Sequence, residues 1–192
     1  MHASGRAIGF FASLRMTCGV AGVFTRSVTC SVALLAVLAL AAIARAETKV
    51  GDAFPTLGSV KLATLTSELP ATEGKVVLVD FWASWCAPCK ASFPMMAKLH
   101  KDYAGRGLAI VAVSVDENAP AAMAFAKKLT PPFSTVHDRE HKLVEQVAVP
   151  TMPTSYLVGR DGRVRFMHSG FHGDTTEREL RREIESLLAE KS

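Results

Sequence analysis

The chain has 192 residues, 49% of them hydrophobic and 21% charged, with a formal net charge of +4. That length holds one domain of ~100–200 residues and something beyond it. All 18 acidic residues and all but four of the 22 basic ones follow Ala46, so the bulk of the chain is electrically neutral and nucleic-acid binding has no compositional support.

Residues 1–46 carry Arg6, Arg15, Arg26 and Arg45, no acid, and an apolar run from Val32 to Ala44 that ends in Ala44-Arg45-Ala46. A basic stretch, an apolar stretch shorter than a membrane span and a small-x-small site together predict a secretory signal, cut after Ala46. The basic region is longer than such a signal needs, which makes Met16 a candidate start. An uncleaved membrane anchor over residues 28–44 is the alternative. Cys18 and Cys30 precede the apolar run, against the order a lipid anchor requires. Residues 47–192 are then the exported domain, placed in the periplasm.

Residues 47–75 mix polarities around Pro55, Pro70 and Gly74 and predict an extended lead-in with one short hairpin. Val76-Val77-Leu78-Val79-Asp80-Phe81-Trp82 is a continuous apolar, β-branched run, the pattern of a strand buried on both faces. A helix follows from Pro88, a residue tolerated in a first turn, through Phe93, Met96, Leu99 and Tyr103. Pro94 should kink it, and Gly105 and Gly107 should end it. Leu108 to Val115 predicts a second buried strand. Asn118 is the expected N-cap of a helix over Ala119 to Leu129, with Pro120 in its first turn. Phe133 to Val136 predicts a short strand and Glu140 to Val147 a short helix. Thr154 to Val158 and Arg163 to Met167 predict a hairpin across Gly159-Arg160-Asp161-Gly162. Thr176-x-x-Glu179 reads as the capping box of a last helix with Leu180, Ile184, Leu187 and Leu188 on its apolar face. The order β-α-β-α-β-α-β-β-α implies an α/β domain with a central sheet flanked by helices.

Four cysteines are present, and beyond the leader only Cys86 and Cys89 remain. A structural framework in an oxidising compartment would use more than one short loop. A bridge across two residues also adds little to stability in the chain-entropy model. Chemistry therefore explains the pair better than structure. A zinc site lacks its second cysteine pair, and haem attachment would need a histidine where Lys90 stands.

The segment Val79-Asp80-Phe81-Trp82-Ala83-Ser84-Trp85-Cys86-Ala87-Pro88-Cys89-Lys90 resembles the active-site segment of the thioredoxin superfamily. Pro94 matches the proline of that family's active-site helix, and Met152-Pro153-Thr154 its cis-proline loop. The helix and strand between Val115 and Asp138 resemble the insertion of the TlpA/ResA branch. The resemblance covers about residues 51–190 and implies a thioredoxin fold with a mixed sheet. It assigns Trp85, Pro88, Met152 and Pro153 to the client-binding surface, where a cis bond at Pro153 would turn the Met152 backbone toward Cys86 to pair with an extended client chain. It implies no cofactor. It also implies client proteins bearing disulfides, apocytochrome c or copper-site cysteines among them, and a membrane electron donor.

Attack on a disulfide needs a thiolate, and an ordinary cysteine, with pKa about 8.5, is mostly protonated at neutral pH. Cys86 lies just before the predicted helix, where free N–H groups and the helix dipole favour negative charge. Cys89 lies one turn in and is shielded. Cys86 is thus the nucleophile and Cys89 the resolving thiol. An acid in a buried strand is rare unless it serves a purpose, and the family's matching Asp takes the proton of the resolving cysteine. Asp80 is assigned that role, with its pKa raised by burial; the alternative is an acid at a strand edge paired with a lysine. Ser92 stands where the TlpA/ResA branch often carries Glu, so any role of that Glu is not transferred.

His137, His141, His168 and His172 read as solvated surface residues instead of metal ligands, and Met95 and Met96 as core. Three functions compete: a thiol–disulfide oxidoreductase acting as reductant, a metallochaperone holding copper(I) on the same pair, and a peroxidase. The peroxidase lacks a lone peroxidatic cysteine.

Overall fold

The computed structural model describes residues 47–190; the expected leader and its cleavage site lie outside them. Among the described residues no helix is long and apolar enough to cross a membrane.

The seven-residue run at Val76–Trp82 forms strand β2, every residue of it buried. Its neighbour β3, Leu108–Ser114, is parallel and equally buried, so the two continuous apolar runs make the centre of the sheet. On the far side of β3 lies β4, Ser134–His137, also parallel, and against it the two-residue edge strand β1, Ala63–Thr64. On the other side of β2 lie β5, Thr154–Val158, and β6, Val164–Ser169, both antiparallel to their neighbours. The order is β1-β4-β3-β2-β5-β6, a mixed sheet of the thioredoxin fold.

Among the described residues four helices complete it: α1 over Ala87–Tyr103, α2 over Ala119–Leu129, α3 over Lys142–Val147 and α4 over Asp174–Ala189. Alternation along β2 divides the core. Val76, Leu78 and Trp82 face Phe93, Met96 and Leu99 of α1 and Leu180, Ile184 and Leu187 of α4. Val77, Val79 and Phe81 face Leu143 and Val147 of α3 together with Leu57 and Val60 of the lead-in. Helices thus flank both faces, as expected. Helix α2 and β4 occupy the segment where the insertion was expected. The insertion is tied down by aromatic contacts, since the Trp82 ring stacks 4.7 Å from Phe125 of α2 and both rings meet Phe93 of α1 edge-on at 5.3 Å. Truncating Phe93 to alanine would cost about 3–5 kcal/mol, because it closes both contacts.

Several expectations are corrected. The lead-in forms no hairpin; it makes a 3-10 turn at Leu57–Ser59 and gives β1 to the edge of β4, where Ala63 pairs with His137. That pairing draws the strand one residue beyond Val136, and His137 is buried instead of solvated. Strand β6 begins one residue later than read and runs to Ser169, so His168 lies in the strand with its ring against Glu183 of α4. Helix α4 starts at Asp174 behind Gly173, whose φ of 60° suits glycine, and the capping box does not form. Thr176 is the third residue of the helix, and its hydroxyl accepts the His172 N–H at 3.0 Å. Pro94 lies inside α1, as expected, and the helix runs on past it to Tyr103. Gly107, at φ 105°, provides the stop after the helix, a conformation L side chains rarely adopt.

Candidate active site

Strand β2 ends at Trp82, and a four-residue loop carries the chain to the start of α1. Cys86 is the N-cap of that helix: its Sγ accepts the Cys89 N–H at 3.2 Å, and Pro88 occupies the first turn, where its missing N–H costs nothing. The two sulfurs are joined in a disulfide with Sγ–Sγ 2.04 Å. Cys86 keeps 4% of its surface exposed and Cys89 none, so a partner can reach only Cys86. Around it stand Ala87 and Pro88, both exposed, and Trp85, 70% exposed. The free N–H groups of the helix start, with no acid in the first turn, favour a negative sulfur at Cys86.

Met152 packs against the apolar cluster that contains both cysteines, and the following Met152–Pro153 bond is cis, the one cis bond among the described residues. Asp80 projects from the face of β2 that carries Leu78 and Trp82, the face under which Cys89 lies. It is 1% exposed and central in the sheet, which removes the edge alternative. Its partner is no lysine: the Ser155 hydroxyl donates to Oδ1 at 2.6 Å, and Oδ2 has no hydrogen-bond partner among the described residues. Burial pushes the carboxyl up to about 7, and the Ser155 hydrogen bond opposes the rise.

Ser92 turns its hydroxyl back to the Cys89 carbonyl at 2.9 Å. Lys90 holds its ammonium 6.0 Å above the Phe125 ring. Met95 and Met96 lie in the core, as expected, at 5% and 1% exposure.

Two buried polar groups escaped the sequence reading. Asp116, just past β3 and 2% exposed, accepts from Ser84 and from the Ser114 hydroxyl, while its own carbonyl accepts His137 Nε2 at 2.7 Å. Ser155 is the other, and its only sequence signal is a polar residue in a buried strand two positions after Pro153. Beside Trp85 opens a groove of about 420 Å³, lined by Ser84, Glu117, Asn118 and His141 among others. A cavity of about 250 Å³ at the opposite end of β2, between Phe54 and the 159–162 turn, contains no cysteine and is not part of this site.

Comparison with known proteins agrees with this geometry. The Redoxin family pattern matches residues 49–184. The thiol-disulfide oxidoreductase ResA of Oceanobacillus iheyensis is 33% identical over 126 residues, 64% of this chain and 66% of the relative. ResA of Bacillus subtilis is 37% identical over 97 residues, 50% of this chain and 54% of the relative. The matches thus span between half and two thirds of the length of these two relatives. The crystal structure of a chain assigned as the thiol:disulfide interchange protein DsbE of Chlorobium tepidum is matched over its full length. It is 32% identical, covers 74% of this chain and superimposes with a TM-score of 0.65.

Proposed function

The chain belongs to the Redoxin family, and from that membership we propose that it is an exported thiol–disulfide oxidoreductase that reduces disulfides of client proteins with the Cys86–Cys89 pair. The observation that carries the reading is the asymmetry of that pair: Cys86 caps a helix and keeps some exposure, while Cys89 is fully covered.

The reduced pair begins with Cys86 as thiolate, held by the N-terminus of α1. It attacks one sulfur of a client disulfide; a Cys86–client bond forms and the second client sulfur leaves with the electron pair. Cys89 then gives up its proton to Asp80 and attacks Cys86 Sγ. The intramolecular disulfide forms, the first client sulfur departs as thiolate, and two electrons have passed to the client. Asp80, with its pKa near 7, matches a group that must accept a proton at neutral pH. Trp85, Pro88 and the backbone at Met152 flank Cys86 and are assigned to client docking, with the groove beside Trp85 taking the chain on one side.

The leader is proposed to be cleaved after Ala46, releasing the domain into the periplasm, where clients include apocytochrome c or copper-site cysteines and a membrane donor renews the dithiol. N-terminal sequencing of exported protein reads the cleavage directly. The function is tested with the reduced domain and insulin: the expected result is catalytic precipitation of insulin chains, abolished in Cys86→Ser. A reduced pair that leaves insulin intact and binds copper(I) tightly overturns the proposal.

A further inference from the structure

Asp80 of β2 lies opposite Ser155 of β5, and Ser155 lies opposite His168 of β6. Residues paired across antiparallel strands share a face with Cβ atoms about 5 Å apart, so the three side chains form one row across the face that carries Cys89. Within this row the contacts are unequal. His168 is turned outward, with Nε2 2.7 Å from Glu183 and Nδ1 3.7 Å from Glu179, both on α4. The Ser155 hydroxyl turns inward, to Oδ1 of Asp80. A serine has one proton to donate, and this contact uses it.

The two oxygens of Asp80 are thereby made different. Oδ1 accepts a hydrogen bond, whereas Oδ2 is buried with no partner among the described residues. A buried carboxylate oxygen without a donor is costly when charged and is the natural place for a proton. We infer that Ser155 is a positioning residue for the resolving step, holding Oδ1 so that Oδ2 is the atom that receives the Cys89 proton. The inference rests on the thiol–disulfide reading above and adds a residue to it. When Cys89 attacks Cys86, its S–H bond breaks, the proton goes to Oδ2, the Cys86–Cys89 bond forms, and the client sulfur leaves with the electrons of the broken bond.

On the face of the sheet that carries Asp80, Cys89 of α1 lies in the apolar cluster with Leu78 and Trp82, Ser155 of β5 donates to Oδ1, and Ala112, the partner in β3, brings no charge. His168 of β6 and Glu179 and Glu183 of α4 are engaged with one another. The Ser155 hydroxyl is therefore the group that tunes Asp80 directly, and losing it must make Asp80 harder to ionise, because the hydrogen bond stabilises the charged form.

The experiment mixes the reduced domain with 5,5′-dithiobis(2-nitrobenzoate). Attack by Cys86 releases a first coloured thiolate and resolution by Cys89 a second, and the rate of the second phase is followed against pH. Ser155→Ala is expected to displace its pH midpoint upward by about one unit, which slows resolution about fivefold at pH 7, with the first phase unchanged. Ser155→Thr, which restores a hydroxyl, should return the parent profile, and Ser155→Val, of the same size without it, should not. The Thr and Val variants carry the comparison if the alanine variant fails to fold. In Asp80→Asn the second phase should be slow and independent of pH near neutrality. A second phase in Ser155→Ala or Ser155→Val that coincides with the parent's at every pH overturns the role of Ser155 alone. A parent that releases no second thiolate overturns the oxidoreductase reading itself.

Discussion

Ser84 and Asp116 stand 32 residues apart, yet the Ser84 N–H reaches both carboxylate oxygens of Asp116, at 2.9 and 3.1 Å, and the Ser84 hydroxyl adds a bond of 2.6 Å. The two residues lie two positions past the ends of neighbouring parallel strands, and the bonds cross between the loops that follow them. Ser84 immediately precedes Trp85 and Cys86, so the clamp fixes the backbone just before the site. Asp116 is itself held by the Ser114 hydroxyl at 2.8 Å. The loop is thereby anchored to β3 as well as to β2.

Asp116→Ala should destabilise the oxidised domain by about 2–4 kcal/mol, since it leaves a buried N–H and two hydroxyls without their acceptor. Asp116→Asn, which retains one carbonyl oxygen, should cost about half as much. Urea denaturation of the three proteins measures the series, and an alanine variant within about 0.5 kcal/mol of the parent would show that the clamp has no structural weight.

The two cysteines should give opposite phenotypes. Cys86→Ser removes the reachable sulfur and should form no mixed disulfide with client proteins. Cys89→Ser removes the resolving sulfur and should let the mixed disulfide accumulate, visible as a mobility shift that a reductant reverses. Equal trapping by both variants would refute the assignment of roles.

The placement of the two cysteines was legible because it depends on local order along the chain: a buried strand, a short loop, a cysteine at a helix start and a second cysteine one turn in. The continuous runs of β2 and β3 could be read for the same reason, since strands covered on both faces need no partner to declare them. What remained hidden joins distant segments. Ser155 meets Asp80 across 75 residues, and Ser84 meets Asp116 across 32. A serine in a strand carries no mark of which carboxylate it faces until the register is known. His137 and His168 were misread similarly, because edge pairing with Ala63 buries the first and packing on Glu183 partly covers the second, and neither contact is local.

Asp80 should make the oxidised domain less stable as pH rises. Its folded pKa is about 7 against an ordinary 3.8, so the folded state binds this proton more tightly across that window. The stability it contributes is fully present below 3.8 and is lost as pH climbs through about 7, a difference of about 4 kcal/mol between the two limits. Asp80→Asn is neutral at every pH and escapes the loss. Its stability relative to the parent should therefore grow between pH 4.5 and 8.5, read as paired urea unfolding curves. A constant difference across that range would mean that Asp80 is not held protonated by burial.

The reduction potential should lie near the reducing end of the range. A dithiol is a strong oxidant when its thiolate is heavily stabilised, because the reduced form is then favoured. Here the support for Cys86 comes from the helix start and the Cys89 N–H at 3.2 Å. Between the cysteines, Ala87 and Pro88 are exposed and bring neither charge nor a side-chain donor. Lys90 directs its ammonium at the Phe125 ring, 6.0 Å away, and Asp80, once ionised, opposes negative charge nearby. Potentials in this chemistry run from about −120 mV for the strongest oxidant to about −270 mV for thioredoxin, a gap of roughly 7 kcal/mol. Closing that gap would take several strong donors at Cys86, and this site offers one helix end. Equilibration of the purified domain with a dithiol–disulfide buffer at pH 7 should give a value below about −200 mV. A potential above about −160 mV would reverse the assignment, making the domain a donor of disulfides instead of a reductant.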